Sequence, residues 1–214
     1  MELVKNLHNI QSLETFRGRL QGQKVFLRAD FNVPIQDGKI TDAYRIDTTM
    51  KTFAFLKDEG AITIVVSHIE TKNVDSPTLK PVFEYIQTAY PEYTVNFCEN
   101  FLEADAVQGL LTAAYDGNFI VFENIRNAKE AGMSEKGDDT AFAEYLKSFA
   151  SFYINDAFAV CHRAHTSVSK LPALFAPGNK VAGLQLYVEI QSLSGALNPK
   201  TPFVAILSGA KFST

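Results

Sequence analysis

Three arginines, three histidines and a set of small polar residues recur at one kind of place in this 214-residue sequence, close behind a short apolar run. Asp30 and Asn32 follow residues 24–28 (KVFLR), and Ser67 and His68 follow residues 61–66 (AITIVV). Glu123, Asn124 and Arg126 follow residues 119–122 (FIVF). Asn155 and Asp156, then His162, Arg163 and His165, follow residues 152–154 (FYI). Arg45 falls in the first turn of a helical pattern beginning near Asp42. Arginine offers a planar fork of donors that matches carboxylate and phosphate oxygens, while Asp30 and Asn32 suit the hydroxyl groups of a ligand. Brought together, these side chains make a basic site with few competing acids. The ligand implied is small, multiply anionic and hydroxylated, such as a phosphorylated hydroxy acid. Each residue also has a structural reading: a strand-end arginine pairs with a surface acid, Asp30 and Asn155 belong to turns, and Asp156 caps a helix. Recurrence over four strand ends is what favours a shared site.

For these residues to meet, the apolar runs must lie side by side with one polarity. Residues 24–28, 61–66, 94–98 (TVNFC), 119–122, 152–154 and 202–207 (PFVAIL) have the continuous apolar character of strands buried on both faces. Between them the period changes to three and four. Residues 42–59 space Ile46, Met50, Phe53 and Leu56 along one helix face, with Gly60 at the place of a C-terminal cap. Residues 79–89, 105–115 and 139–150 read the same way. Alternating β and α predicts an α/β fold of Rossmann-like type, a doubly wound parallel sheet with helices on both faces. Ligands of such sheets bind beyond the carboxyl ends of the strands, where the polar residues stand. Residues 184–197 (LQLYVEIQSLSGAL) predict one further helix, broken by Asn198-Pro199 and Thr201-Pro202. The expected organisation is an α/β domain over 1–183, a connecting helix and linker over 184–201, and the first strand of a second domain within 202–214. No internal repeat or low-complexity tract interrupts it.

Composition narrows the class. Apolar residues make up 46% and charged residues 21% of the chain, as in ordinary globular proteins, and 17 Phe with no Trp must fill much of the core. A net charge of -4 argues against a nucleic-acid coat, which needs clustered Lys and Arg, but leaves room for a local basic pocket. Cys98 and Cys161 have no C-x-x-C or zinc-like spacing with the four His and are expected as buried free thiols; no metal ligand set is expected. No signal-like N-terminus and no 18-residue apolar run are present, so a cytoplasmic chain without membrane contact is expected.

The same stretches carry a resemblance. RADFNVP (28–34) with DGKITDAYRI (37–46), then VSHIE, FENIR, INDAF, CHRAHTS and AILSGAK, resemble the sequence blocks of phosphoglycerate kinases in order and spacing, from about residue 22 onward. The resemblance implies an enzyme of two α/β domains joined by a helix. The N-terminal domain binds 3-phosphoglycerate and the C-terminal domain binds Mg-ATP or Mg-ADP; a phosphoryl group passes between them after closure. It assigns Asp30, Asn32, Arg45, His68, Arg126 and Arg163 to the substrate, with Arg45 also helping to stabilise the transferring phosphoryl group. His162 and His165 lie in the matching HRAH block. Gly209 and Lys211, in a glycine-containing turn after a strand, resemble part of the nucleotide site. Because the chain ends at Thr214, the expectation is a catalytically incomplete chain that holds no nucleotide tightly by itself and whose partners are 3-phosphoglycerate and a C-terminal nucleotide domain.

The chain departs from the family pattern at several points. Glu70 stands in place of a glycine, and Thr71 in place of an arginine that helps hold substrate. Lys72 offers charge nearby without a bidentate fork, and losing one charged partner costs about 1.5–3 kcal/mol of binding. The stretch NAKEAG after Arg126 also departs, as do Val160 and Cys161, the latter pair as a packing difference. A second reading is therefore a non-catalytic anion-binding or interaction module derived from the same family. A Rossmann or flavodoxin-like nucleotide binder is disfavoured, because ADFNVP rather than G-x-G-x-x-G follows the first strand.

Overall fold

The computed structural model describes residues 10–72, 74–197, 199–204 and 206. Its centre is a six-stranded, all-parallel sheet made of β1 (Lys24–Arg28), β4 (Ile62–Val66), β5 (Val95–Cys98), β6 (Phe119–Phe122), β7 (Phe152–Asn155) and β8 (Lys180–Ala182), in the order β5-β6-β4-β1-β7-β8. The expected sheet is thus present, with β1 between β4 and β7 in the middle. The period-two alternation of buried strands divides two cores. Val25, Leu27, Val65, Phe119 and Val121 face one side, where α1 (Tyr44–Asp58) and α2 (Lys80–Ala89) pack through Ile46, Phe53, Leu56, Val82 and Ile86. Phe26, Ile64, Val66, Ile120 and Phe122 face the other, against α3 (Ala104–Ala113), α4 (Thr140–Lys147) and the single turn α5 (Leu171–Ala173). Aromatic rings do much of the filling, as the stack of Phe53 on Phe119 at 4.3 Å illustrates.

Local chemistry sets where the elements stop. Helix α1 ends in a Schellman motif: Gly60, at φ +68°, donates to the Lys57 carbonyl and Ala61 to that of Leu56. A short hairpin, β2 (Ile35–Gln36) and β3 (Lys39–Ile40), turns on Asp37-Gly38, both with positive φ. That is the two-residue turn which Asp-Gly favours. The connecting helix α6 (Leu184–Leu197) begins where the sequence places it, and Asp156 secures its start. The Asp156 carboxylate, buried, accepts from the Leu186 amide at 2.9 Å and from Thr52 Oγ1 of α1 at 2.7 Å. Its structural reading as a cap is the one the fold realises.

Three expectations need correction. Pro202, Phe203, Val204 and Ile206 form no strand, and the last three are exposed; Ala205 and 207–214 lie outside the described residues. Strand β8 is an addition to the expected set, because a three-residue strand after a loop has too little pattern to read. Cys98 is a buried thiol, but Cys161 is exposed: it follows the one-turn helix Phe158–Val160, whose inward position is taken by Val160.

Candidate functional site

The carboxyl ends of β1, β4 and β6 open onto one rim, and the loop after β7 closes it. At the end of β1, Asp30 pairs with Arg45 in the first turn of α1: Arg45 Nη1 donates to the two carboxylate oxygens at 2.8 and 3.1 Å. Arg45 is half-exposed, whereas Asp30 is mostly covered. Two residues on, Asn32 Oδ1 accepts the Glu70 amide at 2.9 Å and ties the β1 loop to the β4 loop. Ser67 Oγ reinforces the tie by accepting the Phe31 amide at 2.9 Å.

Beneath the rim lies a wholly buried polar layer centred on Arg28, the last residue of β1. Arg28 Nε donates to Ser167 Oγ at 2.9 Å, and Ser167 Oγ donates to Glu135 Oε1 at 2.6 Å. The Ser167 amide binds Glu135 Oε2 at 2.9 Å, and Arg28 Nη2 stands 3.9 Å from Glu135. Burial raises the Glu135 carboxyl, opposed by the Arg28 charge and the Ser167 bonds. Arg28 Nη2 also reaches His68 Nδ1 at 3.0 Å. A guanidinium can only donate, so Nδ1 is the acceptor and the proton of neutral His68 sits on Nε2. His68 stays neutral because burial first, then Arg28 and Arg126, push its pKa down to about 2. His165, buried with Nδ1 3.8 Å from Glu135, is lowered to about 4 by burial and then by Arg126, Arg163, Arg28 and Lys136. These groups therefore lie within electrostatic reach of one another.

Arg126 follows β6 on a short 3-10 segment, Ile125–Ala131, whose first amides are organised by Asn124. The Asn124 side chain also holds the Ile69 and Pro77 carbonyls at 3.0 and 2.8 Å, fixing the β4 loop against this segment. Glu123 is structural too, accepting the Leu79 amide at the start of α2 at 2.7 Å. The Arg126 side chain is only 9% exposed. Its Nη1 pairs with Glu70 Oε1, and Lys136 Nζ approaches the same oxygen at 3.6 Å. Its Nε and Nη2 are buried with no hydrogen-bond partner among the described residues, as is His165 Nδ1. Arg126, Glu70 and Lys136 line a cleft of 450 Å³ together with Thr71, Lys129 and Glu135. Lys136 is held there because Thr166 pins its loop, accepting the Asp139 amide at 3.1 Å and donating to the Ser134 and Gly137 carbonyls.

The rim therefore gathers His68, Arg126 and His165, with the charge of Arg163 within electrostatic reach of both histidines and Asn32 joined through Glu70, and sets Asp30 and Arg45 against each other. Arg163 is exposed. His162 and Lys72 are exposed and make no side-chain hydrogen bond or ion pair among the described residues; Lys136, not Lys72, is the lysine beside Arg126. Gly209 and Lys211 lie outside the described residues. Asn155 is a turn residue, its Oδ1 accepting the Ala157 amide at 3.0 Å. The sequence leads one to expect few competing acids, yet Asp30 takes Arg45 and Glu70 takes Arg126, because a guanidinium beside a reachable carboxylate gains by pairing. Arg28, Glu135, Lys136 and Ser167 are site residues that sequence reasoning misses. One signal is available: a charged residue closing an otherwise apolar strand, KVFLR, demands a buried counter-charge elsewhere. Among the described residues no three His, Cys, Asp or Glu side chains are grouped to hold a metal ion, and no helix is long and apolar enough to cross a membrane.

Comparison with known proteins bears on the whole chain. Residues 15–214 match the family model described as phosphoglycerate kinase. Phosphoglycerate kinases of Leptospira biflexa and Dictyoglomus turgidum are 38% and 39% identical over 199 residues, covering 91% of this chain and 48% of each relative. The structure of phosphoglycerate kinase from Coxiella burnetii superposes with a TM-score of 0.73 at 25% identity, over 90% of this chain and 46% of that one. The enzyme from Pyrococcus horikoshii, at 22% identity and TM-score 0.75, shares the fold. The chain spans about half the length of the curated relatives it matches. With the family model covering all but its first residues, the chain belongs to the phosphoglycerate kinase family.

Proposed function

We propose that this chain supplies the 3-phosphoglycerate site of a phosphoglycerate kinase, which transfers a phosphoryl group reversibly between ATP and 3-phosphoglycerate to give 1,3-bisphosphoglycerate and ADP. The observation that carries the reading is Arg126: a guanidinium nine-tenths buried, with two nitrogens that have no hydrogen-bond partner among the described residues, within electrostatic reach of two neutral imidazoles at the carboxyl end of the sheet. Such a group is suited to a dianionic phosphate. His68, with its Nε2 proton, adds a donor that needs no protonation change across the neutral range. Asp30 and the Asn32 side-chain NH2, which makes no hydrogen bond among the described residues, suit the substrate hydroxyl, and half-exposed Arg45 suits the phosphoryl group in transit. Because the nucleophile is a carboxylate, the chemistry asks for positioning and charge stabilisation rather than a general base. Magnesium and nucleotide supply the phosphoryl donor; the chain's own part is to bind, orient and exclude water from the acceptor.

Titration calorimetry with 3-phosphoglycerate should give saturable binding that Arg126→Ala abolishes. Binding that survives Arg126→Ala, or no binding at millimolar ligand, overturns the reading. The reading of a non-catalytic anion-binding module is favoured by one feature, the Glu70 carboxylate on Arg126. Phosphoryl transfer on adding the matching nucleotide domain would exclude it.

A further inference from the structure

We propose that Glu70 is a resident carboxylate filling an anion clamp made by Arg126 and Lys136, and that an incoming phosphate binds by displacing it. The two cations converge on the same oxygen, Glu70 Oε1, from different loops: Arg126 from the segment after β6, Lys136 from the loop pinned by Thr166. An internal acid thus occupies the position that a ligand oxygen would take. Its hold is incomplete. Glu70 meets Arg126 through Nη1 alone, and Nε and Nη2 stay buried with no hydrogen-bond partner among the described residues. A phosphate carries enough acceptor oxygens to satisfy both of those nitrogens and Lys136 together, which one carboxylate oxygen does not.

The two partners also differ in freedom. The Arg126 side chain is 9% exposed, while that of Glu70 is 57% exposed and can swing into solvent. Its backbone need not follow, since the Glu70 amide is held by Asn32 Oδ1 and that bond survives side-chain departure. Partial burial by itself would raise the Glu70 carboxyl, but the charge and hydrogen bond of Arg126, then Lys136, more than offset this and keep it below the ordinary carboxylate range. Glu70 is therefore charged at neutral pH and competes with every anion that enters.

Two consequences follow. Glu70 sets the affinity of the site below what its cations alone would give. It also selects for dianions, because a monocarboxylate merely exchanges one carboxylate for another, whereas a phosphate adds charge and contacts. Lys136 supplies a second charge in the cleft that Thr71, standing in place of the family arginine, also lines. This inference rests on the reading that Arg126 faces the ligand anion, but not on which anion it is.

The test titrates inorganic phosphate and 3-phosphoglycerate separately into the 214-residue wild type, Glu70→Gln, and Glu70→Gln with Lys136→Met. Glu70→Gln should tighten phosphate binding by up to about fivefold, the size expected for releasing a partly exposed ion pair, and adding Lys136→Met should reverse the gain. Acetate affinity should change less than phosphate affinity. Phosphate tightening with no 3-phosphoglycerate bound by any variant leaves the clamp standing and sinks the assignment of substrate instead. Equal phosphate affinity in wild type and Glu70→Gln overturns the clamp, as does weaker binding in Glu70→Gln or no phosphate binding by that variant at all. Glu70 is exposed and outside the core, so a matching thermal midpoint checks that the variants are folded.

Discussion

The buried floor of the rim and its exposed edge use the same chemistry, arginine against carboxylate, to opposite ends. In the floor, Arg28 and Glu135 are fully covered, and Ser167 bridges them with three hydrogen bonds. At the edge, Arg45–Asp30 and Arg126–Glu70 each pair a guanidinium with a carboxylate, and one member of each pair is substantially exposed. Water decides the difference. A buried pair cannot be exchanged, because either ion left alone pays its desolvation in full. An exposed pair is nearly neutral in stability, because solvent or another anion replaces the partner. The floor is thus built to hold a tautomer and an orientation, and the edge, on the proposed reading, to trade partners with a ligand.

The sharpest way to break this comparison is Arg28→Met. It leaves Glu135 buried without its cation and should cost about 3–5 kcal/mol in urea unfolding, with part recovered in Arg28→Met/Glu135→Met. A loss under about 1 kcal/mol would place the floor in the same class as the edge. Ser167→Ala removes the bridging hydroxyl between Arg28 and Glu135 and should cost about 1.5–3 kcal/mol by the same measurement.

The floor also predicts a pH dependence. His68 and His165 have folded pKa values of about 2 and about 4 against 6.5 when unfolded. Below that value the unfolded chain takes up protons that the folded chain refuses, so their contribution is whole above it and drains as pH falls. His68 alone should account for on the order of 2 kcal/mol lost by about pH 5. His68→Gln should therefore flatten the stability profile over that window. Glu135 and Asp156, whose carboxyls burial raises, act with the opposite sign and are common to both proteins, so they cancel in the difference. An unchanged profile would mean that His68 is protonated in the fold. The smallest effects belong to the edge: Arg45→Ala and Glu70→Gln should each change stability by less than about 1 kcal/mol, while Arg45→Ala weakens phosphoryl transfer in the completed enzyme.

Much of the scaffold is legible in the sequence for a simple reason. Strands β1, β4 and β6 are continuous apolar runs whose burial requires a covered parallel sheet, and α1 carries both its core stripe and its terminating Gly60. The hairpin at Asp37-Gly38 has a local signal too, although a longer motif runs across it. The site is legible only as a set of strand-end residues. His68, Arg126 and His165 are buried together and Arg163, though exposed, acts on both histidines through its charge; His162 and Lys72 face solvent, and nothing in the local pattern separates the two groups. Glu70 reads as a departure from a family pattern, but not as the partner of Arg126, since the separation of 56 in sequence is closed by strand pairing and the Asn124 clamp.

By itself, then, the sequence determined the sheet class, the strand ends that bear polar residues and the family, because apolar periodicity and ordered motifs are local properties of the chain. The tertiary structure alone decided which charges are buried, which tautomer His68 holds and which acid sits on Arg126. Those depend on desolvation and on distances of a few ångströms between residues far apart in the chain, and neither exists until the sheet has closed.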